Sequence, residues 1–106
     1  MNRLILCAAA LAALAAATGA RASVTVIGGG QAEACSRAAL AGRSEIRFEN
    51  LCTKALEEEQ LDARDRAGTY VNRGILKLRR MDYDAATKDF NEAVRAISLA
   101  ANQEDP

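Results

Sequence analysis

Cys35 and Cys52 are the residues best suited to covalent chemistry in this chain, and their setting decides which kind. They form no Cys-x-x-Cys pair, so zinc ligation and thioredoxin-type exchange lack the spacing they need. A structural bridge between them is what remains. Histidine is absent, which removes the commonest general base and metal ligand together. The run Glu57-Glu58-Glu59 has the charge for a calcium site, but consecutive residues of a helix point about 100° apart and cannot converge on one ion. It reads as a solvated helix end. Gly28-Gly29-Gly30 follows the β-branched run Ser23–Ile27, yet a dinucleotide loop needs further spaced glycines, a parallel sheet and a later acidic residue. The segment 23–30 reads instead as a flexible, solvated arm. No serine or cysteine stands in an arrangement with a base. The sequence therefore predicts no catalytic residue, no metal and no cofactor.

The elements that position these residues occupy only part of the 106 positions. Arg3 followed by the uncharged apolar run Leu4–Ala17 has the form of a secretory leader, being shorter than the roughly 20 residues that a membrane-spanning helix needs. Ala20-Arg21-Ala22 supplies the small-x-small triplet of a signal-peptidase site, which places the cut before Ser23. The alternative is an alanine-rich buried helix or a membrane anchor. Cys7 lies too early, inside the apolar run, for lipoprotein processing. With Arg3 and Arg21 removed, 12 basic residues face 14 acidic ones. That charge disfavours nucleic acid and anionic membrane as partners, since both are held chiefly by clustered lysine and arginine. Export to the periplasm or the exterior also brings the cysteines to an oxidising compartment.

From Gln31 the apolar spacing is helical throughout and predicts four helices. The first runs to about Ala41 and stops at Gly42. The second covers about Glu45–Glu59 with Ser44 as its cap, Phe48, Leu51, Cys52, Ala55 and Leu56 inward, and Glu49, Asn50, Lys54, Glu57 and Glu58 outward. Asp62 caps a third helix with Ala67, Tyr70, Val71, Gly74, Ile75 and Leu78 on its apolar face. Asp82 can cap a fourth, with Tyr83, Ala86, Phe90, Ala93, Val94, Ile97 and Ala101 on its apolar face. The short connections predict an all-α fold of two stacked antiparallel hairpins over residues 31–101, followed by a disordered tail at 102–106. At about 1.5 Å per residue, Cys35 and Cys52 both stand roughly 10–12 Å from the turn at Gly42–Ser44, level with one another on antiparallel helices. A disulfide is expected there, with two buried free thiols as the alternative.

Tyr70, Gly74, Ala86, Phe90 and Ala93 keep the intervals of large and small residues that resemble a tetratricopeptide repeat, and Met81-Asp82-Tyr83-Asp84 stands where that family usually reads Gly-Asp-Tyr. The likeness covers about 34 residues, Ala67 to Ala100. It implies that Gly74, Ala86 and Ala93 lie where two helices approach closely, with Tyr70 and Phe90 filling the space beside them. Lys77 and Ser98 depart from the pattern, where the family favours a large apolar residue and proline. Upstream, Phe48, Cys52 and Ala55 resemble a degenerate second repeat. The runs Cys52-Thr53-Lys54-Ala55-Leu56 and Asn72-Arg73-Gly74 are similar to those of small exported bacterial repeat proteins. The resemblance implies a protein-interaction role without enzymatic activity, in which Asn72, Ile75, Arg79 and Val71 line a groove for an unidentified protein or peptide. The competing reading is a structural protein that associates with its own copy, giving a homodimer through Val94, Ile97 and Ala101. Arg73 and Asp89 lie equally far from Met81 and are expected to form an exposed ion pair.

Intact-mass measurement on the exported protein should show the loss of residues 1–22 and a new terminus at Ser23. Recovery of the full chain from a membrane fraction would contradict the leader reading.

Overall fold

The computed structural model describes residues 23–104. The expected leader 1–22, with Cys7 and the cleavage site, and residues 105–106 lie outside the described residues. Within them the protein is all-α, with helices α1 (Gly30–Leu40), α2 (Ile46–Glu58), α3 (Ala63–Arg79) and α4 (Tyr83–Glu104). α1 and α2 form one antiparallel hairpin, and α3 and α4 form the other. α3 packs most extensively on α4 and also touches α1 and α2, whereas α4 touches α3 alone. α3 is thus the element that every other helix meets.

Local chemistry sets the helix ends. Gly42 adopts a left-handed φ of 77°. Its N–H bonds Ala39 O at 3.3 Å while the Arg43 N–H bonds Ala38 O at 3.0 Å, the paired closure that satisfies the last carbonyls of a helix. The same closure ends α3, where the Met81 and Asp82 N–H groups bond Leu78 O and Lys77 O, both at 2.9 Å. Here the left-handed position is filled by Met81, with φ 62°. Asp62 caps α3 as expected, its Oδ1 accepting from the Asp65 N–H at 2.8 Å.

Three local expectations change. Ser44 does not cap α2, because the cap position belongs to Glu45, which is extended at φ −68° and ψ 142°. The Glu45 carboxylate folds back onto its own N–H, the Arg43 side chain and the Ser44 N–H, contacts that lower its pKa from 4.5 to about 2. Glu49 does not face solvent: it lies buried on the same stripe as Cys52, Ala55 and Leu56. Its Oε1 sits 3.2 Å from Arg80 Nε, close enough for ionic attraction but without hydrogen-bond alignment. α4 runs on through Glu104, three residues into the segment expected as a tail.

The core is small and mixed in character. Leu76, Asn72, Thr69, Cys35 and Cys52 are its largest fully buried side chains. Cys35 and Cys52 are joined in a disulfide with their Cα atoms 4.9 Å apart, across the α1–α2 pair, and pack on Leu76 of α3. Phe48 covers this cluster from the side and is itself flanked by the guanidinium groups of Arg43 and Arg47, at 4.8 and 4.7 Å from its ring centre. Between α3 and α4, a methyl group on Gly74 would fall 2.6 Å from Phe90 Cε1, so only glycine lets the two helices come this close. Ala86 and Ala93 of α4 are also buried, and Tyr70 and Phe90 are half-buried.

An L-residue in the left-handed region costs roughly 1–2 kcal/mol, partly regained because glycine has more freedom to lose on folding. Met81→Gly should therefore raise stability by about 0.5–1 kcal/mol, read as a melting temperature several degrees higher. An unchanged or lower melting temperature would argue against this turn geometry.

Candidate functional site

Two polar assemblies use different faces of α3. The first is built around Asn72, which is 0% exposed. Its side chain does not bond within the helix. Oδ1 accepts from the Val24 N–H at 2.8 Å, and Nδ2 donates to Val24 O at 2.7 Å. One amide thus reads both backbone groups of a single residue of the arm, in the manner of a neighbouring β-strand. Gly68, one turn earlier on the same face, clears the space: a Cβ there would lie 2.7 Å from Val24 Cγ1 and 3.5 Å from Val26 Cγ2.

The arm beyond this point is held as well. Val26 is buried with Ala32 and Ala55, and Leu61 packs against them. The Ser36 hydroxyl donates to Glu33 O at 2.9 Å and lies 3.5 Å from Val26 O. Gly28, Gly29 and Gly30 follow with φ of 134°, 81° and 77°, a left-handed passage into α1. The first turn of α1 is tied to the α2–α3 link, since Glu59 Oε1 accepts from the N–H groups of Gln31 and Ala32. The arm expected at 23–30 has no regular secondary structure, but its first part is not solvated. Val24 and Val26 point into the helices while Thr25 and Ile27 are exposed, the alternation of an extended segment lying on an apolar floor.

The second assembly joins α2, α3 and α4. Arg73 forms a fork-to-fork pair with Asp89, Nε to Oδ2 at 2.9 Å and Nη2 to Oδ1 at 2.6 Å, and its Nη1 donates to Thr53 Oγ1 at 3.1 Å. Lys77 Nζ adds a further contact to Asp89 Oδ2 at 2.9 Å. The Arg73 side chain is 18% exposed and that of Asp89 is 3%, so the pair expected on the surface has a buried carboxylate and a half-buried guanidinium. The hydrogen bond to Asp89 raises the Arg73 pKa above its ordinary value, and the Tyr70 ring lies 5.6 Å away on the same guanidinium. Lys77, a departure from the repeat pattern, has this carboxylate as its reason. The charged members of the network pair with one another, which gives it the character of a structural clamp.

Of the residues expected to line a groove, Asn72 and Ile75 are buried and Val71 is half-buried. Arg79 is exposed and donates from Nη1 to Arg43 O at 3.1 Å, fastening the end of α3 to the α1–α2 turn. They share one face of α3 without forming an open cleft, because α1, α2 and the arm already lie there. Gly68, Val24 and Val26 were not singled out from the sequence. Their signal was the Val-x-Val alternation before a glycine run, together with a second glycine in α3 one turn before Asn72. An open depression of about 440 Å³ lies apart from this seat on α2, lined by Arg47, Asn50, Leu51, Thr53 and Lys54. Among the described residues no group of three or more His, Cys, Asp or Glu could hold a metal ion.

A double-mutant cycle between Arg73→Met and Asp89→Leu should give a coupling of about 1.5–2 kcal/mol, since Asp89→Leu leaves a half-buried guanidinium without its carboxylate and Arg73→Met leaves the buried Asp89 with Lys77 alone. Exposed pairs give at most about 1 kcal/mol, and a value in that range would contradict the burial of the network.

No family model matches the chain, and no curated protein or solved structure matches it either.

Proposed function

We propose that this chain is an exported protein-interaction module, tetratricopeptide-like in its second hairpin, which holds an extended segment of another protein on the α3 side of the helical frame. The observation that carries this reading is the Asn72 amide. A fully buried side chain is spent on the N–H and C=O of one extended residue, contacts that recognise a backbone and are indifferent to its side chain. Export is supported by the leader-like composition of residues 1–22 and is compatible with the Cys35–Cys52 bridge, which persists in an oxidising compartment. None of the described helices is long and apolar enough to cross a membrane. A binding role without catalysis fits the lack of histidine and the mutual pairing of Arg73, Lys77 and Asp89.

A second reading, association with a second copy, is favoured by one observation. α4 packs on α3 alone, and its outer stripe leaves Tyr83, Val94 and Ile97 exposed, the last two at 65% and 57%. In a solenoid such a stripe is covered by the next helix.

A photo-crosslinking residue separates the two. Placed at Arg64, exposed and one turn before Gly68, it should form an adduct with another protein in the envelope of the producing cell. Placed at Val94 it reports self-association as a doubled mass. Adducts at Arg64 support the module; a doubled mass from Val94 with none at Arg64 favours the self-associating alternative, and adducts at neither position would overturn the interaction reading.

A further inference from the structure

Resting on the interaction reading, we propose that the Asn72–Gly68 seat is occupied in the resting protein by the chain's own Val24-Thr25-Val26. A partner then enters by exchange, its own extended segment with small β-branched residues at alternate positions replacing the arm.

The seat has the parts of a strand-binding site. Asn72 supplies one acceptor and one donor to a backbone, Gly68 supplies the room for a branched side chain at the residue so held, and the floor that takes Val26 supplies a second apolar position two residues on. This spacing selects the ligand. An extended chain presents every second side chain to the same face, so Val-x-Val fits and a helical peptide does not. A notional Cβ on Gly68 would lie 2.7 Å from Val24 Cγ1, so the branched side chain held at this position rests directly on the α3 backbone. The outward Thr25 and Ile27 are exposed, so those positions of a ligand are free to vary.

The arm is also built to leave. Its hold on Asn72 crosses a sequence separation of 48, whereas its covalent attachment to α1 is the glycine run Gly28-Gly29-Gly30. Methyl groups added at Gly28 or Gly29 would meet nothing within 4 Å, so that part of the run is not itself packed. The helices do not depend on the arm for their connection, because α1 and α2 are joined through Cys35–Cys52 and the α1 start is anchored by Glu59. A tethered segment competes at an effective concentration on the order of millimolar, so an external peptide of equal intrinsic strength displaces the arm only when it is in large excess.

The test uses a fluorescein-labelled, amidated Ser-Val-Thr-Val-Ile peptide and the oxidised protein, with binding read by anisotropy. Val24→Asp with Val26→Asp should release the arm and raise the apparent affinity for the peptide at least tenfold over the unaltered chain. Gly68→Leu in that background should fill the seat and abolish the gain, and Asn72→Ala should do the same by removing the backbone contacts. Equal binding by the released and unaltered proteins, or no binding by a released protein that retains its helical circular dichroism, overturns the proposal. A second measurement needs no variant. Excess unlabelled peptide should speed hydrogen exchange at the Val24 amide of the unaltered protein by at least tenfold, and an unchanged rate overturns the proposal. The outcomes separate from those of the crosslinking experiment. Peptide binding on arm release without any Arg64 adduct upholds the seat and removes the module reading, whereas Arg64 adducts with equal peptide binding uphold the module and remove the exchange.

Discussion

The disulfide between Cys35 and Cys52 is the constraint on which the rest of the structure leans. A helical domain of this size buries a smaller fraction of its surface than a large one, and here the largest fully buried side chains include an asparagine and a threonine. The bridge offsets that shortage in two ways. It closes a loop across a sequence separation of 17, which on chain-entropy grounds is worth about 3 kcal/mol. It also places two sulfur atoms in contact with Leu76, so the covalent staple is at the same time the apolar centre. Only small neighbours allow this. Ala32, Ala38 and Ala39 on α1 and Ala55 on α2 are all buried, and they let the two helices approach to a Cα separation of 4.9 Å at the bridge.

With that hairpin fixed, α3 must satisfy polar groups on more than one side. Thr69 does so inside the helix, its hydroxyl bonding Asp65 O at 2.7 Å. Asn72 turns to the arm, and Arg73, the next residue and about 100° around the helix, turns to Asp89 and Thr53. Adjacent residues of one helix thus bind different neighbours, one a backbone and the other a pair of side chains. The Arg73 network is directional, because a planar guanidinium meets a carboxylate in one geometry, so it fixes the rotation of α4 on α3 more sharply than the Gly74–Phe90 contact does. Charged pairs of this kind add little net stability over an apolar substitute, and their effect is to exclude other packings.

The helices were legible in the sequence because their causes are local. Gly42 and Asp62 announce their ends, and apolar steps of three and four announce their faces. The level placement of Cys35 and Cys52 follows from the turn between them. The intervals joining Tyr70, Gly74, Ala86, Phe90 and Ala93 led to the contact in which Phe90 covers Gly74, since a hairpin with a short turn leaves its register little freedom. What was not legible depends on distant partners. A β-branched run before three glycines reads the same in solvent or on a floor, and the difference is made by an asparagine 48 residues away. Glu49 reads as a surface residue until Arg80 arrives beside it from the end of α3. Met81 hides a left-handed turn for a related reason, because the closing bonds to Leu78 and Lys77 force a conformation that the residue itself disfavours.

A rigid frame is also what permits a loosely held arm. The two amide bonds to Val24 are worth about 1 kcal/mol each, and covering two valines contributes about 3 kcal/mol more. Ordering the backbone of Val24, Thr25 and Val26, the residues held in the seat, costs about 1 kcal/mol per residue at the least, so the arm is held by a margin of about 2 kcal/mol. In a protein whose helices were held together only by packing, so small a margin would make arm release and unfolding hard to tell apart. Here the α1–α2 hairpin is covalent and the α2–α3–α4 contact is clamped through Arg73, so the segment of lowest local stability can open while the frame keeps its shape. The emptied seat would retain its geometry, with Asn72 fixed by its place in a helix packed on every other helix of the described residues. In the proposed exchange, that preorganisation would spare a short extended segment from having to order the surface that receives it.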